Sequence, residues 1–253
     1  MGDVINTIDI VGDDNLIDSI IEDTIVELVD DSLTTISTTA FRERRNLRKI
    51  VFPNVRDMLG YAFYKCELLN EVTAPLLESI STSCFEACTA LDTLEFPNLK
   101  SIGLSGVSGC TNLGAVNVPN VTSMSGSAFK KCTSLSRIVL PKVSELPNNA
   151  FEDCSNLEYV DIPIVTSIGS YALRNCTILK ALILRSNEIV YHGSNCLYNS
   201  GIVKKVGYIY VPKALIEDYK VAQNWSSYST QFRALEDYTV DGTITGELDS
   251  TKI

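Results

Sequence analysis

Six cysteines recur at a constant interval of 22 residues in this chain of 253 residues. A catalytic or metal site does not need one residue type at a fixed interval along a long stretch of chain. A chain wound into equivalent coils does need it, because each coil presents the same position to its neighbours. The sequence therefore predicts a solenoid. The repeated residues are Cys66, Cys88, Cys110, Cys132, Cys154 and Cys176.

Further columns of residues accompany the cysteines and define one coil. A large apolar residue, preceded by a small one, stands three positions before each cysteine, and a leucine stands three positions after it. Two alternating apolar residues follow, and in six of seven coils a proline comes next. Alternation is typical of a β-strand and proline cannot donate to a strand ladder, so each coil should hold one short strand that ends at the proline. The large apolar column is Phe41, Phe63, Phe85, Val107, Phe129, Phe151 and Leu173, and the prolines are Pro53, Pro75, Pro97, Pro119, Pro141 and Pro163.

The part of each coil around the cysteine has mixed spacing, which suits either a helical turn or an irregular arc. Stacking would align the strands in a parallel sheet, and neighbouring coils would supply the core that one coil cannot bury alone. About seven regular coils fit the sequence. The expected organisation is an acidic N-terminal cap (1–32), the repeats (33–190), an irregular last coil with a C-terminal cap (191–238) and a polar tail (239–253).

The repeated stem also resembles a known family. Leu-x-x-Ile-x-Phe-Pro-x-Val-x-x-Met at 47–58, followed by Ala-Phe-x-x-Cys at 62–66, is similar to the BspA-like, or treponemal-type, leucine-rich repeat. The slot that other leucine-rich repeats fill with Asn or Cys holds Val or Leu, as is typical of this class. The resemblance implies an α/β solenoid, a leucine-rich repeat arc with one short parallel strand per coil. It also implies a bacterial surface or secreted binding protein.

The first 32 residues hold ten acidic residues and no basic one, so this segment accounts for the net charge of −10. The apolar residues of 16–28 could form a helix, whereas 24–29 could form a strand against the first coil. Either element would cover the open edge of the solenoid. A calcium site at Asp13, Asp14 and Asn15 is disfavoured, because the spacing of an EF-hand loop is missing.

After Ile189 the repeat becomes irregular. An eighth coil with an insertion would place Cys196 in the small-residue slot and end its strand at Pro212. The segment 213–236 is expected to be largely helical, with Trp225 among the residues that pack on the last coil. Asp241–Gly242 favours a small hairpin in the tail, although a loose tail fits the sequence equally well.

The cysteine column is expected to be a ladder of buried free thiols. Equivalent residues of adjacent coils point the same way, so their Cβ atoms would stay about 4.8 Å apart, which is wider than a disulfide prefers. A thiol can instead act as a small apolar filler. A zinc site is disfavoured, since the chain has one histidine and no paired Cys-x-x-Cys motif.

No enzyme activity, cofactor, metal site or membrane span is predicted. His192 is interpreted as a solvated loop residue and not as the partner of Cys196 in a hydrolase dyad. The acidic charge and the lack of a basic stripe disfavour nucleic-acid binding. No apolar run approaches the ~20 residues of a membrane helix. The N-terminus lacks the features of a secretory signal, so the location stays open despite the resemblance to surface proteins.

The outward positions of the predicted strands are the remaining candidates for function. They vary from coil to coil, and a variable solenoid face can carry a binding site. The preferred hypothesis is a non-enzymatic module that binds a protein or glycan, as an adhesin does. The alternative is a structural spacer or assembly protein, for example a phage-associated one. The expected ligand contacts, chosen because Tyr and Arg are common interface anchors, are Glu95, Asn117, Arg137, Tyr159 and Asp161.

Overall fold

The computed structural model describes residues 26–240 and 243–244. Over this range the chain winds into stacked coils whose strands form two parallel ladders. In the regular coils each paired residue lies 22 positions from its partner, as Lys49 does from Glu71 and Asp57 from Ser79. The predicted solenoid with 22-residue coils is confirmed.

Each regular coil contains two short strands, where the sequence predicted one. The predicted strand has three residues, and a second strand of two residues follows the proline turn. The first ladder is made of β1 (Glu27–Val29), β3 (Lys49–Val51), β5 (Glu71–Thr73), β7 (Thr93–Glu95), β9 (Ala115–Asn117), β11 (Arg137–Val139), β13 (Tyr159–Asp161), β15 (Ala181–Ile183), β17 (Tyr208–Val211) and β18 (Phe232–Ala234). The second is made of β2 (Thr35–Ile36), β4 (Asp57–Met58), β6 (Ser79–Ile80), β8 (Ser101–Ile102), β10 (Ser123–Met124), β12 (Glu145–Leu146), β14 (Ser167–Ile168) and β16 (Tyr191–His192).

The segment between the second strand of one coil and the first strand of the next is an irregular arc, which we call the turn side. It holds turns and no helix in the regular coils. Tyr61 and Lys65 adopt left-handed backbone conformations with φ of 59° and 57°, and other coils repeat this pair. The N–H groups of Tyr61, Phe63 and Lys65 donate to carbonyls of the next coil at 2.9, 2.8 and 2.8 Å. The turn side is therefore a third intercoil ladder.

The predicted core columns are buried. The cysteines, leucines and large apolar residues of the repeat lie in the interior of the coils and are almost completely shielded from solvent. Phenyl rings of adjacent coils stack, with centroids 5.3 Å apart for Phe63 and Phe85 and again for Phe129 and Phe151. Val107 occupies the same slot between these stacks and is also fully buried. The coils therefore share one continuous core, as a solenoid requires.

All eight cysteines are free and buried, which confirms the predicted thiol ladder. Each of the six repeated thiols donates to a backbone carbonyl of the preceding coil, as Cys154 Sγ does to Phe129 O at 3.1 Å. Burial raises the pKa of the Cys154 thiol from its ordinary value of 9.0 to about 12. The cysteine column is thus both a small filler and an intercoil hydrogen-bond donor.

The C-terminal end contains less helix than the sequence predicted. Helix α1 (Ile216–Val221) has six residues, and short 3₁₀ turns accompany it. The prediction of a largely helical 213–236 therefore holds for 213–221 but fails at Phe232–Ala234, a strand that extends the first ladder. The physical reason is that an exposed sheet edge offers unpaired backbone groups, and a further strand satisfies them. Trp225 is fully buried and donates its indole N–H to Val190 O at 2.6 Å.

The interpretation of His192 as a solvated loop residue was also wrong. His192 belongs to β16 and is partly buried. Its ring lies edge-on to Trp225 with centroids 4.4 Å apart, and its Nε2 is 2.6 Å from Asn224 O. The tryptophan that closes the end of the solenoid therefore also fixes the histidine.

The sequence left two alternatives open at each end of the chain, and the structure has a strand at one end and a hairpin at the other. Strand β1 pairs in parallel with β3, in line with the strand alternative for 24–29. Strands β19 (Thr239–Val240) and β20 (Thr243–Ile244) pair antiparallel, in line with the hairpin alternative for the tail. Asp13, Asp14 and Asn15, considered for calcium, lie outside the described residues.

Candidate functional site

Both strand ladders stop at one place, between the coil of residues 115–136 and the coil of residues 137–158. We call this place the central junction. β9 does not pair with β11, and β10 does not pair with β12. The first ladder also stops between β5 and β7, but there the second ladder continues through β6 and β8. Within the described residues, the central junction is the one place where strand pairing is missing from both ladders.

Pro147 removes one hydrogen-bond donor from the second ladder at the central junction. In neighbouring coils the residue after the two-residue strand donates its N–H to the preceding coil, as Ser125 does to Ile102 at 2.9 Å and Gly169 to Leu146 at 2.7 Å. Pro147 occupies this slot and has no N–H to donate to Met124. Once the register is known, the sequence therefore explains the loss of this one intercoil bond.

The first ladder stops where the core side chains are small. The slot before the strand-ending proline holds Phe52 and Phe96 in coils that pair with the next one, and Ala74 and Val118 where pairing fails. Phe96 N–H donates to Asn117 O at 3.1 Å, which illustrates a paired junction. A smaller filler supports the strand less, so we attribute the local loss of strand pairing to these two positions.

A cleft of about 310 Å³ opens on the first ladder at the central junction. Its walls are mainly aliphatic side chains and prolines, and Asn117 and Arg137 supply the polar groups. Val116, a core position that is buried in several other coils, is partly exposed to this cleft. The lining residues are Gly114, Ala115, Val116, Asn117, Val118, Pro119, Arg137, Val139 and Pro141.

Three of the five residues selected from the sequence lie on open surface. Arg137 is exposed, Asn117 is half-buried, and both line the cleft. Glu95 is exposed one strand away, directly beside Asn117 in the paired register of β7 and β9. The structure therefore places Glu95, Asn117 and Arg137 on the same side of the first ladder, which we call the strand face.

The other two selected residues belong to a covered part of the strand face. Asp161 is buried and accepts two hydrogen bonds from Arg185, from Nε to Oδ1 at 3.2 Å and from Nη2 to Oδ2 at 2.9 Å. Such a bidentate pair occupies both carboxylate oxygens. Tyr159 is half-buried and packs against the cluster that contains Tyr238. Asp161 is therefore engaged within the chain, and Tyr159 is only partly accessible.

Tyr238 covers the C-terminal part of the strand face. Ala181 and Ile183 point outward from β15, yet both are buried beneath Tyr238, with Tyr210 and Leu235 at the sides. The rings of Tyr210 and Tyr238 meet edge to face with centroids 4.6 Å apart. Burial raises the pKa of Tyr238 to about 12. The C-terminal segment thus leaves the region around the cleft as the open part of the strand face.

Sequence reasoning missed Arg185, Tyr210, Tyr238 and the cleft itself. Arg185 stands where most other coils have the strand-ending proline, and this exception could have suggested a partner for Asp161. The position of Tyr238 gave no comparable signal, because it depends on the path of the chain after the last coil.

The described residues offer no metal centre and no membrane helix. Within 26–240 and 243–244, no group of three or more His, Cys, Asp and Glu side chains is arranged to hold a metal ion. In the same part of the chain, no helix has the length and apolar content that a membrane crossing requires.

Together, these features define a class of protein: a solenoid of leucine-rich coils with parallel strands and a variable outward strand face. The sequence model of the BspA type leucine-rich repeat region matches residues 24–134 and 108–217, with six copies. The chain belongs to this family, and the resemblance inferred from the repeat is confirmed.

Solved structures show the same fold. A leucine-rich repeat protein from T. pallidum is 25% identical with a TM-score of 0.52, over 73% of this chain and 78% of that one. A leucine-rich cell surface protein from Faecalibacterium prausnitzii A2-165 is 20% identical with a TM-score of 0.55, over 74% of this chain and 48% of that one. This chain thus matches about half of the latter protein. No curated protein matches the sequence.

Proposed function

We propose that the protein is a non-enzymatic binding module that holds a protein partner at the strand face around the central cleft. The observation that carries the proposal is an aliphatic cleft with an exposed guanidinium at its side. Arg137 has no carboxylate partner among the described residues, whereas Lys49 lies 3.1 Å from Glu27 and Arg185 pairs with Asp161. An unpaired arginine beside an apolar depression is a common anchor of protein interfaces.

A protein partner fits the cleft better than a glycan. The lining contains Ala, Val and Pro side chains and no aromatic ring on which a sugar could stack. Leucine-rich repeat proteins generally bind proteins, and the family and its fold are typically non-catalytic. A location on the cell surface or outside the cell is the part of the proposal that rests on family resemblance alone.

Replacement of Arg137 and Asn117 tests the proposal. The full chain is screened by biolayer interferometry against a panel of extracellular-matrix proteins and a glycan array. We expect R137A to weaken binding to a matrix protein at least tenfold, about 1.4 kcal/mol, because it removes the exposed cation of the cleft. N117A should weaken it less.

Arg56→Ala provides the matched control. Arg56 is also exposed, but it lies away from the strand face and pairs with Glu78 at 2.5 Å. Equal losses for R56A and R137A would contradict the proposed site. Binding to glycans and to no protein would contradict the proposed protein partner and identify the ligand as a glycan. Absence of any ligand in both screens, with the fold intact by circular dichroism, would favour the structural-spacer alternative.

A further inference from the structure

The central junction is asymmetric. On the strand side both ladders are interrupted, as β9–β11 and β10–β12 do not pair. On the turn side the ladder continues without a break: the N–H groups of Ser127, Phe129 and Lys131 donate to Asn148, Ala150 and Glu152 at 3.0, 2.9 and 2.8 Å. The two halves of the solenoid are therefore joined along one edge.

Side chains reinforce the same edge. The rings of Phe129 and Phe151 stack across the junction with centroids 5.3 Å apart. Cys154 Sγ donates to Phe129 O at 3.1 Å. Lys130 Nζ lies 2.7 Å from a carboxylate oxygen of Glu152, a side chain that is almost completely buried. All these contacts lie on the turn side and hold the two coils together there.

The strand side has weaker connections. Across the junction on this side, Lys142 Nζ donates a hydrogen bond to Asn120 Oδ1 at 2.5 Å. Both residues lie in exposed turns between the two strands of their coils. A lysine side chain has four rotatable carbons and can follow a moving partner. The cleft lies on this side, so space is already present between the coils.

We infer that the central junction is a hinge about which the two halves of the solenoid open and close on the strand side. The turn side is the axis, and Pro147 and Val118 lie where the second and the first ladder are interrupted. The halves remain rigid because their own ladders are continuous in at least one of the two sheets at every other described junction. The hinge goes beyond the proposed binding function, and if that function holds, hinge opening sets the width of the cleft.

Spin-label distances on the second ladder test the hinge in the absence of ligand. Nitroxide labels on Ser79→Cys and Ser167→Cys are separated by four coils that include the junction. Labels on Thr35→Cys and Ser123→Cys are also four coils apart, but the second ladder is continuous between them. Both pairs should have Cα separations of roughly 19 Å at 4.8 Å per coil. The native cysteines are buried, so they should not react with the label.

The hinge predicts a longer mean distance and a broader distribution for the pair that spans the junction. Pro147→Ser should shift both toward the control pair, since serine occupies this slot naturally at Ser81 and Ser125 and restores the N–H donor. Pro53→Ser, a proline-to-serine change in a coil whose ladders both continue, should change neither distribution.

Equal distributions for the two label pairs would overturn the hinge, and so would a junction pair that does not respond to Pro147→Ser. Val118→Leu gives an independent check, because Leu140 fills the same slot one coil later and the cleft has room for the added carbon. Val118→Leu should also narrow the distance distribution of the label pair that spans the junction. None of these results depends on a ligand, so a failed binding screen and a failed hinge are distinguishable.

Discussion

At pH 10 the protein is expected to unfold at a urea concentration that it withstands at pH 7. The cause is the ladder of buried thiols. Burial raises the pKa of Cys66, Cys110, Cys154 and Cys196 from 9.0 to about 12. It also raises the pKa of the other four cysteines, which are fully or almost fully buried.

Stability falls as the pH rises because the folded protein buries the thiols in their protonated, neutral form. Each thiol loses its proton at lower pH in the unfolded chain than in the fold, so its stabilising contribution is complete below pH 9. That contribution disappears as the pH rises from 9 toward the folded pKa of about 12. In this window each thiol lowers the free energy of unfolding by about 1.4 kcal/mol per pH unit. Eight thiols together therefore lower it by on the order of 10 kcal/mol at pH 10. Typical domains have 5–15 kcal/mol in total.

Equilibrium urea denaturation at pH 7, 8, 9 and 10, followed by circular dichroism with a reductant present, measures the effect. Cys132→Ala is the matched control, because Cys132 is fully buried and its replacement removes one linked proton. Its stability should fall with pH about 1.4 kcal/mol per unit less steeply than that of the unmodified protein. If stability were the same at pH 7 and pH 10, the thiols would have to be accessible to solvent.

Phe129→Ala is expected to lower the free energy of unfolding by about 3–5 kcal/mol, the usual cost of removing a buried phenyl ring. Phe129 is fully buried, stacks on Phe151 and lies on the turn side of the central junction. Its removal leaves a cavity at the edge that joins the two halves. The loss should therefore exceed that of a core substitution of the same size elsewhere.

Phe129→Val separates the loss of the ring from the loss of burial. Valine occupies the same slot naturally at Val107, where it is fully buried. It should cost about 1–2 kcal/mol, clearly less than alanine. Urea denaturation at pH 7 measures both variants. A cost below ~1 kcal/mol for Phe129→Ala would mean that this column does not form the core.

Much of the fold could be predicted because the repeat constrains it many times over. A column such as Phe41, Phe63 and Phe85 fixes the coil length and the inward direction at once, and each new coil repeats the information. The second strand was missed because it has two residues, for example Ser79–Ile80, and too few positions to show alternation. The helix expected in 213–236 forms only in part, because the pairing of Phe232–Ala234 with the sheet edge overrides it at the end of this segment.

The candidate site was harder to predict than the fold. Asn117 and Arg137 were selected for their chemistry and outward direction, and the structure places both at the cleft. Tyr159 and Asp161 were selected for the same reasons, but Tyr238 and Arg185 engage them. An outward direction follows from the period of a strand, whereas coverage by a distant segment does not.

The sequence by itself determined the solenoid, the 22-residue coil, the buried thiols and the direction of each strand side chain, because these depend on a local pattern repeated at a fixed interval. The tertiary structure decided which outward positions remain open and where the ladders stop. Pro147 and Val118 were visible in the sequence, but their effect appears only when one coil lies against the next. Solenoid stability depends on nearest-neighbour contacts, so a departure from the repeat acts at the interface between two coils and not within one.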